Sequence, residues 1–229
     1  MTEAPSSLFE FSKVPQGDPL LNEVFKLRYK VYVEECGFEK KEDHPGGIER
    51  DEFDEHSVHF VVKRRGEDHI IGTIRMINNS EKGFLITKHC KMDMDLSAMD
   101  RNRFGELSRL AVSKDYRKRA TDAAIFEGGV AEDAAIDNMY GGKRRMESDI
   151  VLGLYRCIHR ECKERGYEYV MALMARGLFL LLKRVGLVFE PIGPEQSYHG
   201  LRTPYLGRIE TVLQELRRRN PTLYQQFMR

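Results

Sequence analysis

The stretch Glu147–Ile192, ESDIVLGLYRCIHRECKERGYEYVMALMARGLFLLLKRVGLVFEPI, decides the fold. Ile150, Val151, Leu154, Ile158 and Cys162 recur at helical spacing, which predicts a helix over Glu147–Arg165 with Gly166 as its stop. Tyr167–Ala175 is an apolar, strand-like run, Leu178–Val185 a second helix closed by Gly186, and Leu187–Ile192 a further strand. Strands alternating with helices at this spacing predict an α/β fold, with a mixed sheet flanked by helices on both faces.

Working toward the N-terminus, Glu106–Val112 (ELSRLAV) reads as another strand. Before it, Ser57–Lys63 and His69–Ile77 read as a hairpin around Arg65-Gly66-Glu67-Asp68. Alternation in its second strand puts Arg75 on the face of Ile71, Thr73 and Ile77, so an arginine points into an apolar layer. Earlier still, Asp18-Pro19 reads as an N-cap followed by proline at the first helical position, with Gly37 as the stop. The helix between carries an apolar stripe at Leu21, Val24, Phe25, Val31 and Tyr32, and Arg28 falls inside it. An inward arginine requires a carboxylate. Asp51 and Asp54, in the turn-rich loop Lys40–Glu55, are the natural counter-charges for Arg28 and Arg75. A buried structural network and a substrate-contacting set both fit this pattern, and the two are compatible.

The strand at Glu106 runs into the basic segment Lys114–Arg119. An excursion of small and acidic residues at 120–142 follows, and a charged helical tail over 208–229 is broken at Pro221. One domain over 1–229 is expected, since 229 residues with 41% hydrophobic and 32% charged residues suffice for one sizeable core. Lysine and arginine (37) nearly balance aspartate and glutamate (36), which argues against attraction to nucleic acid or membrane by bulk charge. The Arg217–Arg219 cluster stands alone, without the aromatic interleaving of a nucleic-acid site. The start, MTEAPSSLFEFSK, lacks the pattern of a secretory signal, and the apolar stretch Gly177–Leu182 ends at Lys183-Arg184, far short of a membrane span. Cys36, Cys90, Cys157 and Cys162 form no metal or disulfide spacing, so a reduced, cytoplasmic protein is expected. His44, His56 and His59 lie near one another among prolines and glycines and are not read as a metal site.

Taken jointly, Leu27-Arg28, Tyr32, Phe38, Glu49-Arg50-Asp51-Glu52-Phe53-Asp54, Gly72-Thr73-Ile74-Arg75, Glu106-Leu107-Ser108-Arg109 and Leu181–Leu187 resemble the acyl-homoserine-lactone synthases over about Leu20 to Gly193. Tyr32 stands where that family has phenylalanine and Phe38 where it has tryptophan. These departures and the excursion resemble relatives that acylate other amines, the N-acyl amino acid synthases and the PEP-CTERM/exosortase system-associated acyltransferases. All are similar to the GCN5-related N-acetyltransferase (GNAT) fold.

The resemblance implies aminolysis of a thioester, with a fatty acyl group moving to the amine of a small molecule, an amino acid in the first instance. It implies Glu106 as the catalytic base and Arg28, Tyr32, Phe38, Asp51, Asp54, Arg75 and Arg109 as the substrate side. Residues three apart in a regular strand face opposite sides, so Glu106 and Arg109 share a site only if their strand bulges; the fold family has such a bulge, whose freed N–H polarises the thioester carbonyl. Where the wider fold carries glycines that cradle coenzyme A, this chain reads Arg117-Lys118-Arg119-Ala120-Thr121-Asp122-Ala123. The expected donor is therefore the acyl-phosphopantetheine of an acyl carrier protein, docked on Arg117, Lys118, Arg119, Lys143, Arg144 and Arg145, with no bound cofactor. The strands at Glu106–Val112 and Tyr167–Ala175 are expected to splay, with the acyl chain among Met171, Leu173, Phe179 and Leu182. No tyrosine in the 178–185 helix offers itself as an acid for the leaving thiolate, and a thiol of pKa about 8.5 needs little help. The alternatives are an acyl-homoserine-lactone synthase using S-adenosylmethionine as the amine, and a non-catalytic module that binds acyl carrier protein.

Overall fold

The computed structural model describes residues 8–116 and 145–229. In chain order these form β1 (Phe9–Val14), α1 (Leu20–Tyr29), a π-helical turn (Lys30–Glu35), β2 (Ser57–Arg64), β3 (Ile70–Asn78), α2 (Leu85–His89) and β4 (Phe104–Val112). After them come α3 (Arg145–Arg165), β5 (Tyr169–Met174), α4 (Arg176–Val185), β6 (Glu190–Pro191), β7 (Gln196–Ser197), β8 (Leu201–Arg208), α5 (Ile209–Arg219) and α6 (Pro221–Met228). The sheet order is β1-β2-β3-β4-β5-β8-β6, with β7 paired to β8. Among the described residues only the β4–β5 pairing is parallel; the other ladders are antiparallel.

Both faces of the sheet are covered, as the sequence predicts. On one face Ile150, Leu154 and Ile158 of α3, Leu178 and Leu182 of α4, Val212 and Leu216 of α5 and Phe227 of α6 pack with Ile74, Met76, Leu107, Val170 and Ala172 of the strands. The opposite face holds two smaller layers. Val24, Leu27 and Val31 pack on Val61 and Ala111, while Leu85 and Ile86 pack with Ile77, Phe104 and Met171.

Asp18 caps the first helix, accepting the Leu20 N–H at 2.8 Å. The helix expected to run on to Gly37 instead widens after Tyr29 into the π turn, where the Cys36 N–H reaches back to the Val31 carbonyl. This rotates Tyr32 toward the sheet, where its hydroxyl donates to the Leu110 carbonyl at 3.0 Å. Three strands, β1, the two-residue β7 and β8, have no counterpart in the sequence reading. β1 is an edge strand with a broken burial pattern, and β8 contains Pro204 and Gly207, residues that argue against a strand. Conversely, the strand expected over Leu187–Ile192 shortens to Glu190–Pro191, and the tail divides into two helices at Asn220. The excursion at 120–142 lies outside the described residues.

Gly186 closes α4 at φ 99°, a left-handed conformation that favours glycine, and a Cβ there would lie 3.0 Å from the backbone of Leu216 in α5. Gly186→Ala is expected to destabilise the fold by about 1–3 kcal/mol, lowering Tm in a calorimetric scan by roughly 2–4 °C per kcal/mol.

Candidate active site

The site begins with an irregularity in the central strand. Arg75 on β3 pairs with Ser108, but Thr73 pairs with Ala111, so Arg109 and Leu110 together oppose Ile74. This is a β-bulge, and Arg109 sits in it at φ 51°. The bulge supplies what Glu106 and Arg109 need to serve one site. The parallel ladder with β5 ends at Leu107–Ala172, and beyond that pair the strands diverge. A cleft of about 750 Å³, counting its open mouth, fills the gap. Glu106, Ser108, Arg109, Tyr32 and Tyr198 line it together with apolar residues of β5, α3 and α4.

Beside the cleft lies a buried network of six charges. Arg28 Nε is 2.5 Å from Glu49 Oε2, and its Nη1 is 2.6 Å from Asp54 Oδ1. Arg75 Nη1 lies 2.5 Å from Asp51 Oδ1 and 2.8 Å from Asp54 Oδ1, while its Nε donates to Ser108 Oγ at 2.9 Å. Arg109 Nη2 lies 3.1 Å from Glu49 and 3.0 Å from Asp51. Three guanidinium groups thus meet three carboxylates, with no net charge. Arg28 and Arg75 have no exposed side-chain surface, whereas 11% of Arg109 and 22% of Asp51 is exposed. The sequence expectation that Asp51 and Asp54 neutralise Arg28 and Arg75 holds in the structure. Only the Arg109–Asp51 edge of the network reaches solvent. Arg28, Arg75 and Asp54 hold that edge from beneath.

Burial opposes ionisation of Glu49, but the charges of Arg28 and Arg109 overcome it and hold the carboxyl at about 2. The same balance, with Arg28 and Arg75, keeps Asp54 far below the usual carboxylate range. His59 abuts Asp54 at 3.6 Å, and among the described residues its ring nitrogens have no hydrogen-bond partner. Burial and the neighbouring Arg28 lower its pKa to about 3, so it is neutral.

Glu106 is the exception among the acids. Burial pushes its carboxyl up to about 7, against the opposing pull of the Ile86 N–H, 3.2 Å from each oxygen, and of the Arg75 charge. Near neutral pH it exchanges a proton readily, in the wall of the cleft.

The mouth of the cleft is aromatic. The rings of Tyr32 and Phe38 lie 6.1 Å apart, with Arg109 over Tyr32 at 5.7 Å and Arg202 over Phe38 at 5.5 Å. Burial raises the Tyr32 phenol to about 12, so it remains a donor. His199 links the Phe38 carbonyl (3.2 Å) to Glu39 (3.4 Å), and Tyr198 packs edge-on against it at 4.5 Å. Glu49, His59, Tyr198, His199 and Arg202 are members of this region that sequence reasoning did not assign to the site. Glu49 lies in the same acidic run as Asp51, so its proximity was available as a signal. The segment Tyr198–Arg202 offers none, because it reads as an ordinary turn.

Of the four residues expected around the acyl chain, only Leu173 lines the cleft. Met171 faces the layer of Phe84 and Phe104 on the α2 side. Phe179 stacks on Tyr205 at 4.5 Å, and Leu182 is wholly buried in the main core. Ala172 and Met174, which point to the α3–α4 face, also line the cleft, with Tyr155 and Leu178, so that past the end of the β4–β5 ladder both faces of β5 border it. Arg117, Lys118, Arg119, Lys143 and Arg144 lie outside the described residues. Arg145 starts α3, and its side chain lies outside the described ones.

Removing one buried carboxylate leaves three guanidinium groups facing two carboxylates, so Asp54→Asn is expected to cost on the order of 3–5 kcal/mol in urea unfolding. Between about pH 7 and 4.5 the wild-type urea midpoint should carry two opposing contributions, a gain as Glu106 protonates in the folded chain and a loss because buried His59 stays neutral. It should fall as pH drops from the ordinary Glu49 value of 4.5 toward its folded value of about 2, since a lowered carboxyl pKa gives stability that protonation removes. A midpoint independent of acidification would contradict the network's ionised state.

Comparison with known proteins agrees with this geometry. Residues 27–127 match the family model of the acetyltransferase (GNAT) domain. An acyl-homoserine-lactone synthase of Vibrio anguillarum is 23% identical over 188 residues, spanning 82% of this chain and 83% of that protein. Among solved structures, the coenzyme-A-dependent acyl-homoserine lactone synthase BjaI, with S-adenosylmethionine and isopentyl-coenzyme A, superposes with a TM-score of 0.65 and 17% identity, covering 96% of this chain and 90% of that one. FeeM, an N-acyl amino acid synthase from uncultured soil microbes, gives 0.54 and 13%, with 90% and 94% covered. The chain has the GNAT fold and is similar to acyl-homoserine-lactone synthases.

Proposed function

We propose that this chain is an N-acyltransferase that moves a fatty acyl group from a phosphopantetheine thioester to the amine of a small molecule. The observation that carries this reading is the splay of β4 from β5 beside a carboxylate with a pKa of about 7. The cleft gives the thioester arm a place between two strand edges. Glu106, directly or through one water, takes the proton of the attacking ammonium, so that the free amine adds to the thioester carbonyl. A backbone N–H freed at the Arg109–Leu110 bulge holds the developing oxyanion. Collapse of the tetrahedral intermediate forms the amide and breaks the C–S bond, and the departing thiolate takes up a proton. On the acceptor side, Tyr32, Phe38, Asp51 and Arg109 contact the amine substrate, and Arg28, Asp54 and Arg75 fix their positions.

The donor in this proposal is an acyl carrier protein, whose acidic surface and single phosphate suit the basic residues at 117–119 and 143–145; coenzyme A is the competing donor. For the acceptor we favour an amino acid. The second reading, S-adenosylmethionine as the amine and an acyl-homoserine lactone as product, is supported by the synthases among the relatives. Four free cysteines suit a reducing, cytoplasmic setting, and among the described residues no helix is long and apolar enough to cross a membrane.

Incubating the protein with acyl-carrier and coenzyme A thioesters and a panel of amines, with product detection by mass spectrometry, tests the proposal. Amide formation with amino acids is the expected result. Product with S-adenosylmethionine alone would select the second reading, and thioester binding without turnover would leave a non-catalytic binding module. Glu106→Gln should lower kcat by about 10²–10⁴-fold while the protein stays folded. In the wild type, kcat should rise with pH through about 7, because the base acts when deprotonated. That limb should be absent from the residual activity of the variant.

A further inference from the structure

The β7–β8 hairpin reaches the cleft, yet the chemistry set out above gives it no task. Its residues Tyr198, His199 and Arg202 line the same space as Glu106, Ser108 and Arg109 of β4. The hairpin tip is strained. The Tyr198 N–H donates to the Gly200 carbonyl at 2.8 Å, and His199 between them sits at φ 50°. A side-chain-bearing residue holds that left-handed conformation only where its surroundings fix it. Here His199 Nδ1 lies 3.2 Å from the Phe38 carbonyl, which can only accept, so this nitrogen carries the hydrogen. Its Nε2 lies 3.4 Å from Glu39. His199 thus clamps the hairpin to the segment that bears Phe38.

The clamp matters because of what it places over Phe38. The Arg202 guanidinium is centred 5.5 Å from that ring, and the side chain is 9% exposed. Phe38 neighbours Tyr32 at 6.1 Å, and Arg109 lies 5.7 Å over Tyr32. A platform of two rings therefore carries an arginine at each end, and both charges act on the Tyr32 phenol. The two ends differ in their dealings with acids. Arg109 Nη2 already meets Glu49 at 3.1 Å and Asp51 at 3.0 Å, so an incoming anion there faces two like charges. Glu39, the acid nearest the other end, sets one oxygen toward His199 and the other 3.6 Å from His44. Arg202 Nη1 donates to the neutral Leu201 carbonyl at 3.0 Å. Burial pushes the Arg202 guanidinium below the ordinary arginine value. Burial acts on Arg109 too, but Glu49 and Asp51 overcome it and hold that group well above.

We propose that Arg202 binds the α-carboxylate of the acceptor, so that the β7–β8 hairpin selects amino acids over amines without a carboxylate. The proposal rests on the acyltransferase reading above and adds the specificity-determining residue. The acceptor's ammonium lies toward Glu106, which takes its proton, and its carboxylate lies toward the Phe38 end of the platform. Acylation forms the C–N bond and breaks the C–S bond, and the product leaves with its carboxylate intact. A guanidinium offers a carboxylate two parallel N–H donors. Losing that contact should lower kcat/KM for an amino acid by roughly 10- to 100-fold.

The test offers glycine, leucine, phenylalanine and glutamine, each beside its carboxamide, as acceptors for an octanoyl-phosphopantetheine thioester. Wild type should prefer every accepted amino acid over its amide, a comparison that stands without any variant. Arg202→Gln should lose that preference, through a fall in kcat/KM for the acids while the amides change little. Equal use of acids and amides by wild type overturns the proposal and leaves the acyltransferase reading standing. So does an Arg202→Gln protein that lowers both alike or keeps the wild-type preference. A second readout does not need turnover. The N-octanoyl derivatives of the same acids and amides are added separately, and the thermal midpoint is measured. The acids should stabilise wild type more than the amides, and Arg202→Gln should erase the difference. If no thioester is turned over with any amine yet this pattern appears, the acyltransferase reading fails while Arg202 is still a carboxylate site. If acids and amides stabilise wild type equally, or neither does, Arg202 is not a carboxylate site.

Discussion

Everything at this site hangs on a neutralised cluster of six buried charges. Arg28 comes from α1, Glu49, Asp51 and Asp54 from the loop before β2, Arg75 from β3 and Arg109 from β4. Taking any one of these ions out of water alone is costly, so each segment is stable in place only when the others have arrived. A single electrostatic constraint thereby ties the first helix, a turn-rich loop and two central strands to one another. It also orients the small part of itself that solvent can reach, Asp51 and Arg109.

The cluster and the bulge depend on each other. Arg109 occupies a left-handed conformation that side-chain-bearing residues rarely adopt, and its contacts with Glu49 and Asp51 hold it there. The extra residue in β4 turns the strand away from β5 after Leu107, and the cleft is the result. On the α2 side of the sheet the same strand carries Glu106, whose burial makes it the one acid of the region with a raised pKa. Acids of the same chemistry in different environments thus take different states. Glu49 and Asp54 remain ionised beside arginines, and Glu106 sits poised to exchange a proton.

The two faces of the sheet divide the chemistry. Polar and aromatic groups gather on the α1–α2 side, and the hydrocarbon lining runs toward α3 and α5. The opening between β4 and β5 joins the two, an arrangement that suits the proposed acyl transfer from a thioester to an amine.

Much of this was legible in the sequence. The helices and strand of 147–185 follow from local periodicity, and the inward arginines at 28 and 75 follow from charge inside an apolar repeat, which requires carboxylates that the nearby loop contains. Such features depend on spacing along a few turns of chain, and the sequence alone determines them. The rest was decided in three dimensions. β8 breaks the composition rules for a strand with Pro204 and Gly207 and exists because β5 and β6 pair with it on either side. Met171 lies where β4 still pairs with β5, and Leu173 and Met174 lie beyond the end of that ladder and line the cleft; a run that is apolar throughout does not record where the ladder ends. Tyr198, His199 and Arg202 reach the site across more than half the chain from Tyr32 and Phe38, and no spacing records that approach. The pKa of Glu106 is set by what covers it. Desolvation is a property of packing, and packing exists only in the folded chain.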